Sequence, residues 1–259
     1  MSDAHPVITT LRQAHEAFAL VVAPLDGEAI RRRSYCDQWS VAQVASHLGS
    51  GAEFGLGWLH AAITHTEPLA REEWPKVWDK WNGWSLEEQV SGAVVADAAY
   101  LEAFETAGDE QLAQAHITLF GAFELDGFGL ARIRIPELVM HTWDIAVIAD
   151  PSARIPQAAV DLMVDQLPSG IGRLGKPQTR DWTLNVATTG PERDYVLRNG
   201  NEVTLEPGTT SEAGGTLRLP AEALIRLVYG RADGDHAEGV ALEGGEVTLE
   251  DLRATFPGF

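Results

Sequence analysis

A single cysteine, Cys36, stands in 259 residues, so no disulfide can form within the chain. Basic side chains are scarce as well: 19 Lys and Arg face 38 Asp and Glu, a formal charge of −19. That shortage argues against nucleic acid and anionic membrane as partners, because both are gripped by basic patches. No apolar run approaches the ~18 residues of a membrane span. The opening MSDAHPVITTLRQAHEAF carries early charges and lacks an apolar signal block. The expectation is a soluble, cytoplasmic protein whose excess carboxylates mostly form a solvated surface. Apolar residues make up 45% of the chain, enough for a sizeable core in one large or two small domains. There is no internal repeat and no low-complexity tract.

The first half has helical patterning. Residues 7–23 place apolar side chains near helical spacing. A second helix starts at Ser40, where Gln43 completes a capping box and Trp39 sits just before it; it could run to about Ile63. A loop with Pro68 and Pro75 follows. Ser85 and Glu88 open a third helix with an apolar stripe of Val90, Val94, Leu101 and Phe104, and Gly108 is its plausible stop. Pro136 suits the first turn of a fourth helix that reaches about Ala149. Four long helices suggest a bundle.

The pattern changes after Asp150. DPSARIP reads as a linker or sharp turn, and a helix near 157–166 follows. Then come short β-like segments at 182–187, 195–198, 202–205 and 216–219, set apart by Gly, Pro and Asn. A helix over 221–229 and a segment over 247–255, strand or helix, end the pattern. The predicted class is α+β: a four-helix bundle over residues 1–153 and a small α+β domain over 154–259.

The chemistry concentrates in three residues: His47, Glu137 and His141. A spacing of four puts Glu137 and His141 on one helical face, one turn apart. His47, from a facing helix beside the apolar stripe, would complete a three-ligand set with open positions, the layout of a catalytic metal site. Inward-facing carboxylate and imidazole must be paired or metal-bound. Glu137 would also lie in the first turn after Pro136, where the helix dipole favours its ionised form. Two nitrogens and one oxygen suit Zn2+, although ligand type alone also admits Fe2+, Ni2+ or Co2+. Asp144 could orient a ligating histidine; an ordinary ion pair or cap is an equal reading. No histidine is evident beside Cys36, which reads as a buried structural residue.

With WSVAQVASHL, ELVMHTWD and the late LIRLVYGR in view, the chain resembles the mycothiol-dependent maleylpyruvate isomerase-like enzymes of the DinB / YfiT-like superfamily. The resemblance implies a DinB-type four-helix bundle holding a divalent metal, usually zinc, on His47, Glu137 and His141. It also implies a smaller C-terminal domain with an essential arginine near a helix end, matching Arg231, with Arg226 as second choice. Such a guanidinium would bind substrate or thiol cofactor by paired hydrogen bonds; apart from the resemblance, Arg231 reads as a surface arginine on the last carbonyls of its helix. The implied cofactors are the metal and mycothiol, and the implied partner is a small electrophilic substrate. A metal-held thiol would be a thiolate near neutral pH, adding to a double bond in an isomerase or keeping the adduct in an S-transferase. A zinc hydrolase with activated water and a non-catalytic metal- or small-molecule-binding protein are the other readings. Oligomeric state is not encoded in any of these features.

Two further features stand out. Trp74, Trp78, Trp81 and Trp84 crowd REEWPKVWDKWNGW, as an apolar lid or as packing of a loop onto the bundle. Gly49, Gly51, Gly55 and Gly57 mark either close approach by a neighbour or early helix termination.

Overall fold

The computed structural model describes residues 5–36, 38–245 and 247–258. The chain divides into two compact units between Pro156 and Gln157.

In the first unit, α1 (Pro6–Val22), α2 (Val41–Thr64), α4 (Leu86–Gln114) and α5 (Gly127–Ala146) form a four-helix bundle. Both α1 and α2 pack on α4 and α5. The capping boxes form as the sequence indicates: Ser40 with Gln43 starts α2, and Ser85 with Glu88 starts α4. Each box satisfies backbone donors that a helix start leaves orphaned. Inward faces are apolar, with Val44, Ala45 and Leu48 of α2 and Tyr100 and Phe104 of α4 buried.

Three expectations for this unit need correction. The fourth helix does not begin at Pro136. Asp126 caps it, its carboxylate accepting from the Gly129 N–H at 2.6 Å, and Pro136 lies inside α5. Proline has no N–H to return to the carbonyl four residues back, but the helix runs through it. Gly108 does not end α4: at φ +70° it kinks the helix, which resumes to Gln114. The segment around Pro75 is not all loop, since α3 (Trp74–Asn82) occupies it with Pro75 in its first turn. A hairpin, β1 (Ile117–Leu119) with β2 (Phe123–Leu125), also joins α4 to α5. Its three-residue strands are too short to show alternation.

The glycines of α2 mark close approach and not termination. A Cβ on Gly49 would strike the Trp81 ring, one on Gly51 the Arg134 guanidinium, and one on Gly55 the Tyr100 ring; only Gly57 faces open space. Trp81 is buried on Gly49 and donates to Glu53 at 2.7 Å, so this part of the tryptophan run is packing. Trp74 and Trp78 instead join Phe54, Trp58 and Phe120 in a partly exposed aromatic cluster.

The second unit contains α6 (Gln157–Leu174), longer than its pattern suggests, then β3 (Trp182–Thr189), β4 (Arg193–Asn199), β5 (Val203–Pro207), β6 (Gly215–Pro220), α7 (Ala221–Val228), β7 (Ala241–Glu243) and α8 (Leu249–Thr255). The sheet order is β5-β4-β3-β6-β7, parallel only between β3 and β6. Alternate residues of β3, Trp182, Leu184 and Val186, point inward. Helix α6 packs on α7 and on β5. The architecture is therefore α+β, a helical bundle followed by a sheet unit. No helix among the described residues is long and apolar enough to cross a membrane.

Candidate metal centre

Helix α2 supplies His47, and α5 supplies Glu137 and His141 one turn apart. One ligand atom from each lies within 4.8 Å of the others. His47 Nε2 stands 3.2 Å from Glu137 Oε2, and His141 Nε2 stands 3.8 Å from the same oxygen. The imidazoles meet edge to face, centroids 4.8 Å apart. Tetrahedral zinc with bonds near 2.0–2.1 Å spaces its ligands by about 3.3 Å. The donors thus stand close to metal-ligand spacing.

The set opens on one side. Side-chain exposure is 50% for Glu137 and 36% for His47, but 14% for His141. The partly exposed Trp39 ring has its centroid 5.2 Å from that of His47 and 6.1 Å from that of His141, tilted against both.

Glu137 ionises readily, but not for the reason its sequence position suggests. It lies ten residues into α5, beyond reach of the N-terminal dipole, which fades within the first turn. Desolvation by surrounding protein pushes its carboxyl up. The hydrogen bond with His47 and the charges of His141, His47 and Arg134 outweigh that and pull its pKa down to about 2.

Asp144 is fully buried and sits 2.8 Å from His141 Nδ1. An imidazole that donates from Nδ1 to a carboxylate presents a bare Nε2, the state a metal ligand needs. Cys36 belongs to the same corner, contrary to its sequence reading. It is half-buried, its Sγ lies 3.1 Å from Asp144 Oδ2 and 3.9 Å from His141 Nδ1, and the three form a second convergent set. The contact spans more than a hundred positions, so nothing local signals it.

One turn deeper lies a cluster that sequence reasoning missed. Arg134 Nη2 donates to Asp97 Oδ1 at 2.7 Å and to the Leu48 carbonyl at 2.9 Å. Asp97 Oδ2 pairs with His15 Nδ1 at 2.9 Å. Asp97 is 1% and Arg134 6% exposed. Burial pushes Asp97 up, but Arg134 and His15 hold its carboxyl below the usual range; the Asp97 hydrogen bond in turn raises His15. A signal did exist: Asp97 falls three residues after Val94 and four before Leu101, a charge inside an apolar stripe.

In the second unit, Arg231 is buried, not at the surface, and its Nη1 donates to the Tyr229 carbonyl at 2.6 Å. Arg226 is also buried; its Nε pairs with Glu222 at 2.8 Å and its Nη1 reaches the Arg231 carbonyl at 3.3 Å.

Comparison with known proteins agrees with this architecture. The profile of the family described as mycothiol maleylpyruvate isomerase N-terminal domain matches residues 11–146. Two crystal structures of the mycothiol-dependent maleylpyruvate isomerase, one of a histidine-to-alanine mutant, are similar to the chain. Each has a TM-score of 0.69 at 14% identity, over 94% of this chain and 94% of the other. At that identity the likeness is one of fold. No curated protein matches by sequence.

Proposed function

Because the chain belongs to the mycothiol maleylpyruvate isomerase N-terminal domain family, we propose that it is a metal-dependent enzyme using mycothiol as nucleophile toward a small electrophile. The reaction is a maleylpyruvate-type isomerisation or an S-transfer. The observation that carries the reading is the convergence of His47 Nε2, Glu137 Oε2 and His141 Nε2 beside an open face. A bound divalent metal, zinc by ligand type, supplies the Lewis acidity that keeps a coordinating thiol deprotonated near neutral pH.

The protein's own groups support that use. Glu137 contributes a carboxylate that stays ionised across the physiological range. Asp144 fixes the ring of His141 so that Nε2 faces the other donors. The Trp39 ring is tilted against that of His47. Cys36 is turned toward Asp144, so a thiol brought from outside fits better than Cys36 as nucleophile. For Arg231 the proposal stands on the family resemblance: its guanidinium holds an oxygen acceptor of substrate or thiol.

Calorimetry with mycothiol on metal-loaded and metal-free protein tests the reading. Binding should require the metal, and equal binding without metal contradicts it. Maleylpyruvate turnover with catalytic thiol identifies an isomerase; consumption of one thiol per turnover identifies a transferase. Stoichiometric metal without thiol affinity replaces the thiol reading with metal-activated hydrolysis.

A further inference from the structure

The His15–Asp97–Arg134 cluster touches all four helices of the bundle. Arg134 of α5 donates through Nη2 to Asp97 of α4 and to the Leu48 carbonyl of α2, and Asp97 holds His15 of α1 on its other oxygen. Leu48 directly follows His47 in α2, and Arg134 lies one turn before Glu137 in α5. The bond to Leu48 therefore ties together the two helices that carry the metal-ligand set. It does so next to His47 on one helix and one turn from Glu137 on the other.

The guanidinium is closely seated. A Cβ on Gly51 would lie 2.9 Å from Arg134 Nη1, so the bare glycine lets the guanidinium pack directly against α2. The Tyr100 ring of α4 has its centroid 5.9 Å from Arg134 Cζ, and that ring in turn fills the space a Cβ on Gly55 would need. A buried ion pair such as Arg134–Asp97 gains little net stability over apolar residues of similar volume, and its best-attested use is to fix register. Apolar packing between helices is non-directional, whereas a hydrogen bond weakens steeply as its angle bends. A slide of α2 along α5 would break the Arg134–Leu48 bond and part His47 from Glu137 at the same time.

We propose that Arg134, held by Asp97 and seated on Gly51, is a positioning residue that sets the register of α2 against α5 and so brings His47 to Glu137 and His141. Its hydrogen bonds go to Asp97 and to the α2 backbone, not to a ligand side chain. It acts on the centre by fixing where the ligands meet, the support a site needs if its donors are to stay within about 0.5 Å of working geometry. The inference rests on the metal-centre reading of His47, Glu137 and His141.

The test compares the full-length wild type with two variants. Arg134→Met combined with Asp97→Leu removes both buried charges together and keeps the volume apolar, so the bundle should fold with near wild-type stability. Gly51→Ala leaves every charge in place and displaces the guanidinium from α2. Each protein is followed by denaturant unfolding without metal, by zinc affinity in competition with a chelator, and by visible absorption of the cobalt(II)-loaded form, which reports coordination geometry. Both variants should bind zinc about tenfold more weakly and show altered cobalt bands, with the unfolding midpoint of the metal-free double variant close to that of the wild type. Wild-type zinc affinity and cobalt bands in the folded double variant overturn the proposal and leave Arg134 a purely structural residue. If the double variant does not fold, Gly51→Ala decides: altered cobalt bands support the proposal and unchanged bands overturn it. A wild type that takes up neither metal overturns the metal-centre reading and this proposal with it, whereas a metal-binding wild type with unaltered variants overturns the proposal alone.

Discussion

One helical turn separates two ionisable clusters of the bundle, and they are built in opposite ways. In His15–Asp97–Arg134, each carboxylate oxygen of Asp97 has its own donor, and the pair is closed from solvent. In His47–Glu137–His141, with His141 Nδ1 committed to Asp144, His141 Nε2 and Glu137 Oε2 face each other as two acceptors at 3.8 Å on an open side. The first cluster completes its own charge balance. In the second, His47 Nε2 pairs with Glu137 Oε2 at 3.2 Å and His141 Nε2 stands 3.8 Å from the same oxygen, an open three-donor set that a divalent cation would fit. What separates the two is exposure and the pairing of charge: Asp97 and Arg134 are closed from solvent and paired with each other, while Glu137 stands half-exposed between two imidazoles.

The sharpest way to break this contrast is to neutralise one carboxylate in each cluster. Asp97→Asn leaves Arg134 charged and buried opposite a neutral group. It should cost about 3–5 kcal/mol of stability by denaturant unfolding. Glu137→Gln, at a half-exposed position, should leave unfolding of the metal-free protein nearly unchanged and lower metal content. Equal stability losses would erase the distinction.

Next in size is Asp144→Asn, which weakens the hold on His141 without removing a ligand. Metal affinity should fall about 10–100-fold by competition with a chelator. Wild-type affinity would show that Asp144 is structural only.

The closed cluster also has a pH signature. Asp97, with a depressed folded pKa, contributes stability above the ordinary carboxylate range and loses it as pH falls through the depressed value. His15, with a raised folded pKa, contributes fully below the ordinary histidine value and loses it as pH rises through the raised one. Stability should therefore fall on both sides of a weakly acidic plateau, and His15→Asn should flatten the alkaline side in thermal melts. An unchanged alkaline slope would remove His15 from the cluster.

The smallest expected effect is Cys36→Ala. It removes a thiol contact to Asp144 but leaves the Asp144–His141 pair, so metal affinity should fall by less than about tenfold. A larger loss by the same chelator assay would mean that Cys36 holds the centre together.

The open cluster was far more legible in the sequence than the closed one. Glu137 and His141 declare themselves by a spacing of four, and His47 follows a capping box that fixes the phase of α2. The cause of Glu137's ionisation was not legible. A proline before a helical stretch has the same sequence signature whether it starts the helix or sits within it, and here the Asp126 cap decides. Asp97 and Arg134 each interrupt an otherwise apolar face, which is a signal in the sequence, but only the fold shows that they do so at the same place. Cys36 was hidden for a simpler reason, since its partners lie on α5. The four glycines of α2 left two readings open until the rings and guanidinium packed against three of them were seen.

The central claim is that the open cluster is a metal centre. Elemental analysis of purified, tag-free protein tests it most directly, on the wild type and on His47→Ala and His141→Ala. The account predicts one equivalent of divalent metal in the wild type and its loss in both variants. A wild type without stoichiometric metal, or variants that retain it in full, would contradict the account.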